Sequence, residues 1–422
     1  MNQAFRQGPI IFHLDVNSAY LSWTAAHLLA QGNPIDLRNI PSVIGGDELS
    51  RHGIVLAKSI PAKRYGIQTG NPLRTALEQC PNLTIVAPDY SLYQKASRAM
   101  VAILKEYSPF VQQFSIDECF LDYSFMEPLF GNPYEAAFTI KERIHKELGF
   151  TINIGISSNK LLAKMASDFK KPDQIHTLFP DEIETKLWPL PVGDLFMVGR
   201  QTNKKLQQLG ILTIGDLART PLPILITHLK SFGILLHQYA NGQDESTVRS
   251  TNYEVIKGIG NSTTIPFDVC SFDEAFLVLL SLCENVGIRL RNGNFCCSLI
   301  SISIVTNEFV GASHQHKLDV ATDSTNYIYE ICKKLFCELW DHKPIRKLGV
   351  RVSHLQDHLY FQQSLFVNYN FQKQKQIDRC MDTLRSRYGK KTIQRASFLH
   401  SGLSPLSGGI AEEDYPVMTS IL

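Results

Sequence analysis

The sequence lacks the closely spaced cysteine pairs of zinc and thiol redox sites. Its nine cysteines are an odd number; Cys296 and Cys297 are adjacent, and Cys332 and Cys337 are five positions apart. Zinc sites and thioredoxin-like sites commonly place two residues between their cysteines, and no pair here has that spacing. We therefore expect reduced thiols in a cytosolic protein, with neither a zinc site nor a disulfide framework.

The sequence also has no apolar run of about 18 residues, the length that a membrane-spanning helix needs. The short run IIFHL near the N-terminus contains a histidine, and Asp15 follows it directly, which is unlike the core of a signal peptide. We expect a soluble, cytoplasmic protein with no membrane partner.

The sequence has no large excess of positive or negative charge. The 42 Lys and Arg residues nearly balance the 40 Asp and Glu residues, so that the formal net charge is only +2. This balance neither requires nor excludes a polyanionic partner, and any nucleic-acid surface must come from local clustering of charge.

The 422 residues, 44% of them apolar, exceed what one hydrophobic core normally holds, and we expect several domains. In the first half, a strand-like run, PIIFHLDV, precedes a helix-like segment for which Ser18 is a potential cap. From residue 84 the predicted order is βαββαβα, including a long amphipathic helix over 90–107. With the N-terminal strand added, this pattern predicts an α+β sheet with helices on one face.

Short helices broken by Gly and Pro follow from about residue 180, and residues 255–357 repeat the order βαββαβ as a second α+β unit. Beyond residue 357 the chain is polar, and residues 371–400 carry eight Lys or Arg against two Asp. A helix there would place Ile377, Met381, Leu384 and Tyr388 on one face. This helix would bind a partner or DNA, or else it would be a marginal amphipathic appendage. We expect the last 20 residues to be disordered.

Three acidic residues stand in strand-like surroundings. Asp15 ends one predicted strand, and Asp117 and Glu118 lie side by side in the run FSIDECFLDYS. Two divalent cations about 3.5–4 Å apart need oxygen ligands from separate backbone segments, which two neighbouring strands would supply. Adjacent strand residues point to opposite faces, so Asp117 and Glu118 would be separate ligands. Taken alone, Asp15 could be a cap, and the Asp-Glu pair could be solvated charge.

The sequence GGDEL over residues 45–49 is a rival acidic cluster. It is similar to the signature of diguanylate cyclases, in which it forms the hairpin in the middle of the catalytic sheet. Here it precedes the βαββαβ pattern and lies in a polar, Gly-rich stretch. We therefore expect an ordinary β-turn, while a cyclase remains the enzymatic alternative.

Five motifs together resemble those of the Y-family (DinB/UmuC-like) translesion DNA polymerases, and the resemblance covers about residues 8–357. They are LDVNSAY, AKSIPAKRYGIQTG, FSIDE, GISSNKLLAKMASDFKKP and MVGRQTNKKLQQLGI, in that order. The resemblance implies a multidomain α+β right-hand polymerase. Its parts would be a palm (8–20 and 84–178), fingers (21–83), a helical thumb with a helix-hairpin-helix (179–248), a little finger (255–357) and a tail (358–422).

The resemblance also implies roles for the acids. Asp15 and Asp117 would each bind both of two Mg²⁺ ions, the backbone carbonyl of Val16 would join the nucleotide-side ion, and Glu118 would complete the primer-side site. These ions would neutralise the triphosphate and activate the primer 3′-hydroxyl.

Three further residues match nucleotide-binding positions of the family. Tyr20 matches the aromatic ring that excludes a 2′-hydroxyl, and Lys171 matches the lysine that holds the triphosphate. The fingers depart from the commoner pattern, because Ile60 and Lys63 stand where polymerase IV relatives usually carry Tyr and Arg. Contact between Lys63 and phosphate is expected, but two-pronged gripping is lost.

DNA contacts are implied in the thumb and the little finger. The turn at Gly199, with Lys204 and Lys205, would hold a DNA phosphate, although Met197 replaces the usual first Gly. In the little finger a modest basic sheet would face the duplex, formed by Lys257, Arg289, Arg291, Lys317, Arg346, Lys347 and Arg351.

The peptide QQSLF resembles the short segment by which bacterial polymerases bind the sliding clamp. Gln362, Leu365 and Phe366 would be its contact residues.

The expected function is low-fidelity, template-directed DNA synthesis on primer-template DNA with deoxynucleotides, by a monomer that bypasses damaged bases. A non-catalytic DNA-binding subunit with the same fold is the alternative, and it would be expected to lack the carboxylates. Asn17 and Lys63 resemble the UmuC branch, so the sequence leaves polymerase IV-like and polymerase V-like assignments open.

Overall fold

The computed structural model describes residues 8–46, 51, 53–249, 256–357, 371–389 and 392–399. Contacts divide this part of the chain into two compact units. Residues 8–46 and 54–249 form the first unit, and residues 256–357 and 371–399, without 390 and 391, belong to the second. None of the described helices is long and apolar enough to cross a membrane.

The first unit contains two sheets and a set of mostly short helices. Its strands are Ile11–Val16 (β1), Ser42–Gly45 (β2), Val55–Lys58 (β3), Thr84–Val86 (β4), Val111–Gln113 (β5), Glu118–Asp122 (β6), Ile152–Ser157 (β7) and Ile175–Thr177 (β8). Its helices are Ala19–Ala30 (α1), Ile60–Arg64 (α2), Leu73–Gln79 (α3), Tyr90–Tyr107 (α4), Glu127–Phe130 (α5), Pro133–Leu148 (α6), Lys160–Ser167 (α7), Arg200–Gln208 (α8), Ile214–Arg219 (α9), Leu222–Leu229 (α10) and Ser231–Ala240 (α11). The helix predicted over 90–107 is confirmed.

The larger sheet has the strand order β5-β6-β1-β7-β8. β8 runs parallel to β7, and the other neighbouring strands are antiparallel. On one face α1, α4 and α6 cover a core that includes Phe12, Leu14, Trp23, Met100 and Ile140. This sheet corresponds to the predicted palm.

Helix α7 covers the opposite face of the same sheet, so the expectation of helices on one face only was wrong. The helix comes unusually close to the strands at Gly155. A methyl group on Gly155 would lie only 1.9 Å from the carbonyl oxygen of Ala163 and 2.5 Å from the backbone nitrogen of Ser167. The missing side chain therefore allows α7 to lie directly on β7 and β1.

The smaller sheet has the order β3-β2-β4 and packs with α2 and α3 around Val43, Val55, Ile67 and Leu73. The helices α8–α11 form a separate core with Leu206, Leu217, Leu225 and Leu236 among its buried residues. Helices α8–α11 lie within the residues predicted for the thumb, and β2, β3, α2 and α3 lie within those predicted for the fingers. Strand β4 was predicted to belong to the palm, and that prediction was wrong, because β4 pairs with β2 in the smaller sheet.

Met197, in the turn before α8, has a φ of 74°. This left-handed conformation is the one that a glycine adopts most easily. Met197 therefore adopts the backbone conformation that the usual glycine of this hairpin would adopt.

The second unit has one antiparallel sheet with the order β11-β10-β12-β9 and two helices on one of its faces. Its elements are Gly258–Val269 (β9), Phe272–Asn292 (α12), Phe295–Thr306 (β10), Gly311–Thr322 (β11), Thr325–Leu339 (α13), Ile345–Asp357 (β12) and Phe371–Tyr388 (α14). The predicted order βαββαβ is confirmed over residues 258–357. The open face of the sheet is lined mainly by small or polar residues, among them Ser262, Ser303, Ser313 and Gly349.

Helix α14 lies against α12 and α13 through polar contacts. Asp382 accepts hydrogen bonds from Arg291 at 2.5 and 3.0 Å, and Glu284 accepts them from Arg385 at 3.1 Å and from Arg395 at 2.5 Å. The exposed fraction of Glu284 is 2%, so these charges are paired away from water. The helix is therefore an integral part of the second unit rather than a marginal appendage.

The apolar face predicted for α14 is not the face that is buried. Ile377 and Tyr388 are exposed, and Met381 and Leu384 are half-buried, whereas Asp378 and Arg385 are buried. Arg291 was predicted to belong to a DNA-facing basic sheet. It is instead enclosed by the acids of α14, so that prediction was wrong.

Candidate active site

Pairing between β1 and β6 brings the three predicted acids together. Asp15 lies directly opposite Glu118 in the register of the two strands, and the backbone N–H of Val16 donates to the carbonyl oxygen of Asp117 at 3.1 Å. Asp15, Val16, Tyr20 and Asp117 line one cavity of about 380 Å³. Acids about 100 residues apart in the chain thus share one end of the sheet.

A lysine that we did not predict lies among these acids. The Lys164 ammonium forms an ion pair with Glu118 and lies 3.8 Å from Oδ2 of Asp15 and 3.4 Å from Oδ2 of Asp168. The position of Lys164 on α7 could have indicated this role. Every residue of α7 is buried, and a buried lysine requires an acidic partner. Lys171, which was predicted, donates to Oδ2 of Asp15 at 2.7 Å and also pairs with Asp168 at 2.8 Å.

Burial and neighbouring charges shift the pKa values of these acids and of Lys164. Burial raises the pKa of Asp117 and the charge of Asp15 adds to this, while a hydrogen bond from Ser115 acts in the opposite direction. Burial likewise raises the pKa of Glu118, against the influence of Lys164. Burial would lower the pKa of Lys164, but the surrounding carboxylates outweigh it and the pKa is raised. Glu118 and Lys164 therefore stabilise each other's charge, whereas the main favourable contact of the Asp117 carboxylate is the Ser115 hydroxyl.

The acids are suited to hard divalent cations, although they are not drawn together as ligands in this conformation. Among the described residues, no three His, Cys, Asp or Glu side chains converge closely enough to hold an ion. Asp15 and Glu118 instead face Lys164 and Lys171. With Asp168 included, four carboxylates face two ammonium groups, which leaves an excess of negative charge in a partly buried, oxygen-rich site. That donor set is the kind that Mg²⁺ and Mn²⁺ prefer.

A buried histidine lies behind Glu118. The Ser167 hydroxyl donates to the carbonyl oxygen of Lys164 at 2.7 Å, so Nδ1–H of His13 must donate to the Ser167 oxygen at 2.8 Å. Nε2 of His13 then carries no proton and has no hydrogen-bond partner among the described residues, although it lies 3.9 Å from Glu118. Burial, followed by the charges of Lys164 and Lys171, lowers the pKa of His13 well below its usual value. The imidazole is therefore neutral and makes no ion pair.

Tyr20 is held in a cluster of aromatic rings at the edge of the cavity. Its ring stacks on Tyr93 with centroids 4.4 Å apart, and Trp23 and Tyr90 lie about its other sides at 6.1 and 6.0 Å. Tyr93 is fully buried, and its hydroxyl lies 3.2 Å from that of Thr24. The predicted sugar-excluding residue therefore rests on a rigid base.

Ser18, the potential cap of α1, occupies the N-cap position but makes no capping hydrogen bond with its side chain. Its backbone is left-handed, with φ 48°. Hydrogen bonds hold the preceding residue, Asn17, in place. Its side-chain amide donates to Asn153 and accepts from Thr151, and the Ser22 hydroxyl donates to its carbonyl oxygen. The chain therefore turns sharply here, directly beside the acids.

Several residues predicted to bind DNA lie at the surface of the two units. Lys204 and Lys205 are exposed on α8, whose N-cap is Gly199. Lys257 is exposed, and the Arg346 guanidinium lies 5.2 Å from the ring centre of Phe309.

Two predicted motifs fall wholly or partly outside the described residues. The clamp-binding residues Gln362, Leu365 and Phe366 lie outside them, as does most of GGDEL, residues 47–49.

Comparisons with family models match three parts of the chain. A model described as the impB/mucB/samB family matches residues 14–168, and a model of its C-terminal domain matches residues 256–365. A model described as the IMS family HHH motif matches residues 180–211. A relative from Clostridium acetobutylicum, named DNA polymerase IV, is 48% identical over 391 residues, covering 92% of this chain and 98% of the relative. The chain belongs to the impB/mucB/samB family of Y-family DNA polymerases.

Other relatives and solved structures agree with this family membership. A DNA polymerase IV of Acetivibrio thermocellus is 38% identical, covering 92% of this chain and 97% of its own. A protein of Bacillus subtilis named DNA polymerase IV 2 is also 38% identical, with coverages of 92% and 94%. A solved Y-family polymerase chimera of Dbh and Dpo4 has the same fold, with a TM-score of 0.69 at 19% identity, covering 82% of this chain and 99% of its own. The predicted family and multidomain polymerase fold are confirmed.

Proposed function

We propose that this protein is a template-directed DNA polymerase that adds deoxynucleotides to a primer 3′ end and bypasses damaged template bases. Family membership, and relatives named DNA polymerase IV over nearly their whole length, support this activity. The observation that carries the reaction type is the meeting of three acids where β1 ends and β6 begins, two of which, Asp15 and Asp117, line one cavity with Tyr20. A non-catalytic DNA-binding subunit is not favoured, because such a subunit has no need to retain these acids.

In the proposed reaction Asp15, Asp117 and Glu118 would hold two Mg²⁺ ions, with the Val16 carbonyl as a further ligand. When bound, the ions lower the pKa of the primer 3′-hydroxyl and neutralise charge on the triphosphate. Asp15 and Asp117 would contribute to both ion sites, and Glu118 would contribute to the site on the primer side. The pairing of β1 with β6 brings the backbones of these residues together before substrates arrive. The carboxylates of Asp15 and Glu118 would then exchange Lys171 and Lys164 for the ions.

Lys164 and Lys171 act as internal counter-ions in this scheme. They neutralise the buried acids when no divalent cation is present, which avoids the cost of unpaired buried charge. With cations bound to the acids, the Lys171 ammonium would be able to leave Asp15 and bind the triphosphate. Its exposed fraction, 36% for the side chain, leaves room for that movement.

Tyr20 selects the sugar. Its ring is fixed against Tyr93, so it cannot move aside to admit a 2′-hydroxyl. Deoxyribonucleotides fit against the flat ring, and ribonucleotides collide with it.

DNA and clamp contacts complete the proposal. The turn at Gly199 with Lys204 and Lys205 holds a backbone phosphate, and Lys257 and Arg346 contribute from the second unit. Gln362, Leu365 and Phe366 bind the sliding clamp. We also propose that the protein acts as a monomer in the cytoplasm.

Primer extension by the purified chain tests the proposal. With Mg²⁺, primer-template DNA and deoxynucleotides, the wild-type chain should extend primers on intact templates and past an abasic site. Asp117→Asn should reduce the rate by about a thousandfold or more while DNA binding is kept. Asp122→Asn is the matched control, since Asp122 lies at the other end of β6 and only caps a turn through Ser124. A wild-type chain that binds primer-template DNA but does not extend it would refute the proposal.

A further inference from the structure

The fingers side of the cavity carries a lysine that has no assigned role. Lys58 ends strand β3 and lines the same cavity as Asp15, Tyr20 and Asp117. Lys63 follows on the neighbouring helix α2 and is exposed. In the described part of the chain, neither ammonium group is paired with a carboxylate. The two palm lysines differ in this respect, because Lys164 and Lys171 are both paired with acids.

Lys58 and Lys63 are close enough to influence each other. Partial burial, followed by the charge of Lys63, lowers the pKa of Lys58. Two like charges at a partly desolvated surface raise each other's energy, and an anion bound between or beside them would relieve this repulsion. An anion bound beside Lys58, which lines the cavity, would therefore be favoured.

The neighbouring side chains show why a second cation would be needed. Ile60, between the two lysines, is 51% exposed and has no polar group to offer a phosphate. Lys63 is a point charge and cannot make the paired, parallel hydrogen bonds of an arginine. At the positions of Ile60 and Lys63, polymerase IV relatives usually carry a Tyr and an Arg. Here Lys63 alone would have to replace both of those phosphate-binding side chains. Lys58, two residues before Ile60, supplies a further positive charge on the same surface.

We propose that Lys58 binds the triphosphate of the incoming deoxynucleotide together with Lys63. The proposal rests on the polymerase function proposed above and adds a nucleotide-binding residue to it. A phosphate of the nucleotide is favoured over a phosphate of the DNA backbone, because the cavity that Lys58 lines also contains Asp15, Tyr20 and Asp117. Those residues surround the reacting nucleotide in the proposed reaction.

Inorganic triphosphate is the probe that separates phosphate contact from contact with base or sugar. It is tested as a competitive inhibitor of single-nucleotide insertion, alongside KM for the deoxynucleotide, kcat and the Kd for primer-template DNA. Lys58→Met keeps the length of the side chain and removes its charge, and Lys58→Arg keeps the charge. Arg64→Met, which removes an exposed cation from the same helix α2, is the matched control.

For Lys58→Met we expect KM and the inhibition constant of inorganic triphosphate each to rise about tenfold, as for loss of one charge-assisted contact. The value of kcat and the Kd for DNA should change less than about threefold. Lys58→Arg should stay within about threefold of wild type in all four quantities, and Arg64→Met should not differ from wild type. Rescue by Arg distinguishes a charge contact from a general loss of folding.

Two results would overturn the proposal. Unchanged KM and inhibition constant in Lys58→Met would show that Lys58 does not contact the triphosphate. A weakened DNA Kd with unchanged KM would assign Lys58 to the DNA backbone instead. Neither result would affect the polymerase function itself, which fails only if the wild-type chain does not insert nucleotides.

Discussion

Tyr20 and Tyr93 stack almost parallel, with ring centroids 4.4 Å apart and an angle of 7° between the ring planes. Tyr93 is fully buried between α1 and the core of the palm, whereas Tyr20 is only half-buried and lines the cavity. Because one ring is buried and the other lines the cavity, the buried ring restricts where the exposed ring can lie. In the proposed function, sugar selection would therefore depend on a residue that need not touch the nucleotide.

Replacing Tyr93 tests this dependence. Tyr93→Ala should lower the preference for deoxyribonucleotides over ribonucleotides, measured as the ratio of kcat/KM values, by about tenfold, because Tyr20 loses its stacking partner. Tyr93→Phe keeps the ring and should change the ratio by less than about threefold. Tyr107→Ala removes another buried aromatic ring of the palm and controls for general destabilisation. An unchanged ratio in Tyr93→Ala would show that Tyr20 holds its position without Tyr93.

The buried ion pairs of Glu284 should contribute strongly to the stability of the second unit. Glu284→Ala leaves Arg385, which is 6% exposed, without its carboxylate. We expect the free energy of unfolding, measured with urea, to fall by about 3–5 kcal/mol. Glu330→Ala removes an exposed ion pair with Lys333 on α13 and should cost less than about 1 kcal/mol. Equal losses in the two variants would mean that α14 is not held by these charges.

His13 should make the first unit sensitive to mild acid. Its pKa in the folded protein is lowered by burial, so the unfolded chain binds a proton that the folded chain does not. The resulting stability is fully present above about pH 6.5 and is lost as the pH falls below that value. Between pH 7.5 and 5.5 the loss should reach about 1.4 kcal/mol.

His13→Leu should lack this part of the pH dependence, and comparison with wild type at each pH removes the contribution of other groups. Urea unfolding at the two pH values is the measurement. If the difference between the two proteins were the same at both pH values, His13 would not be the group that titrates.

Much of the site could be predicted from the sequence, because its acids lie in strand-like surroundings and in motifs shared with a known family. The register that places Asp15 opposite Glu118 follows from two apolar strands meeting in one sheet. Lys164 was predictable in principle, since a lysine on a wholly buried helix needs an acid nearby. It was missed because its helix was placed on the same face of the sheet as the others.

Other features have no local signal in the sequence. Arg291 meets Asp382 across 91 residues, and Glu284 meets Arg385 across 101, so no periodic pattern could reveal these pairs. The apolar positions of α14 indicated a different face from the one that is buried. Likewise, a single glycine such as Gly155 gives no sign of how closely another element approaches it.

We propose that Asp117, like Asp15, would be a ligand of both metal ions and that Glu118 would be a ligand of only one of them. Counting bound Mn²⁺ by electron paramagnetic resonance tests it most directly, in the complex with primer-template DNA and a nucleotide that cannot react. Wild type and the control Asp122→Asn should bind two ions, Glu118→Gln one, and Asp117→Asn none at the same Mn²⁺ concentration. Two ions bound by Asp117→Asn would contradict the account.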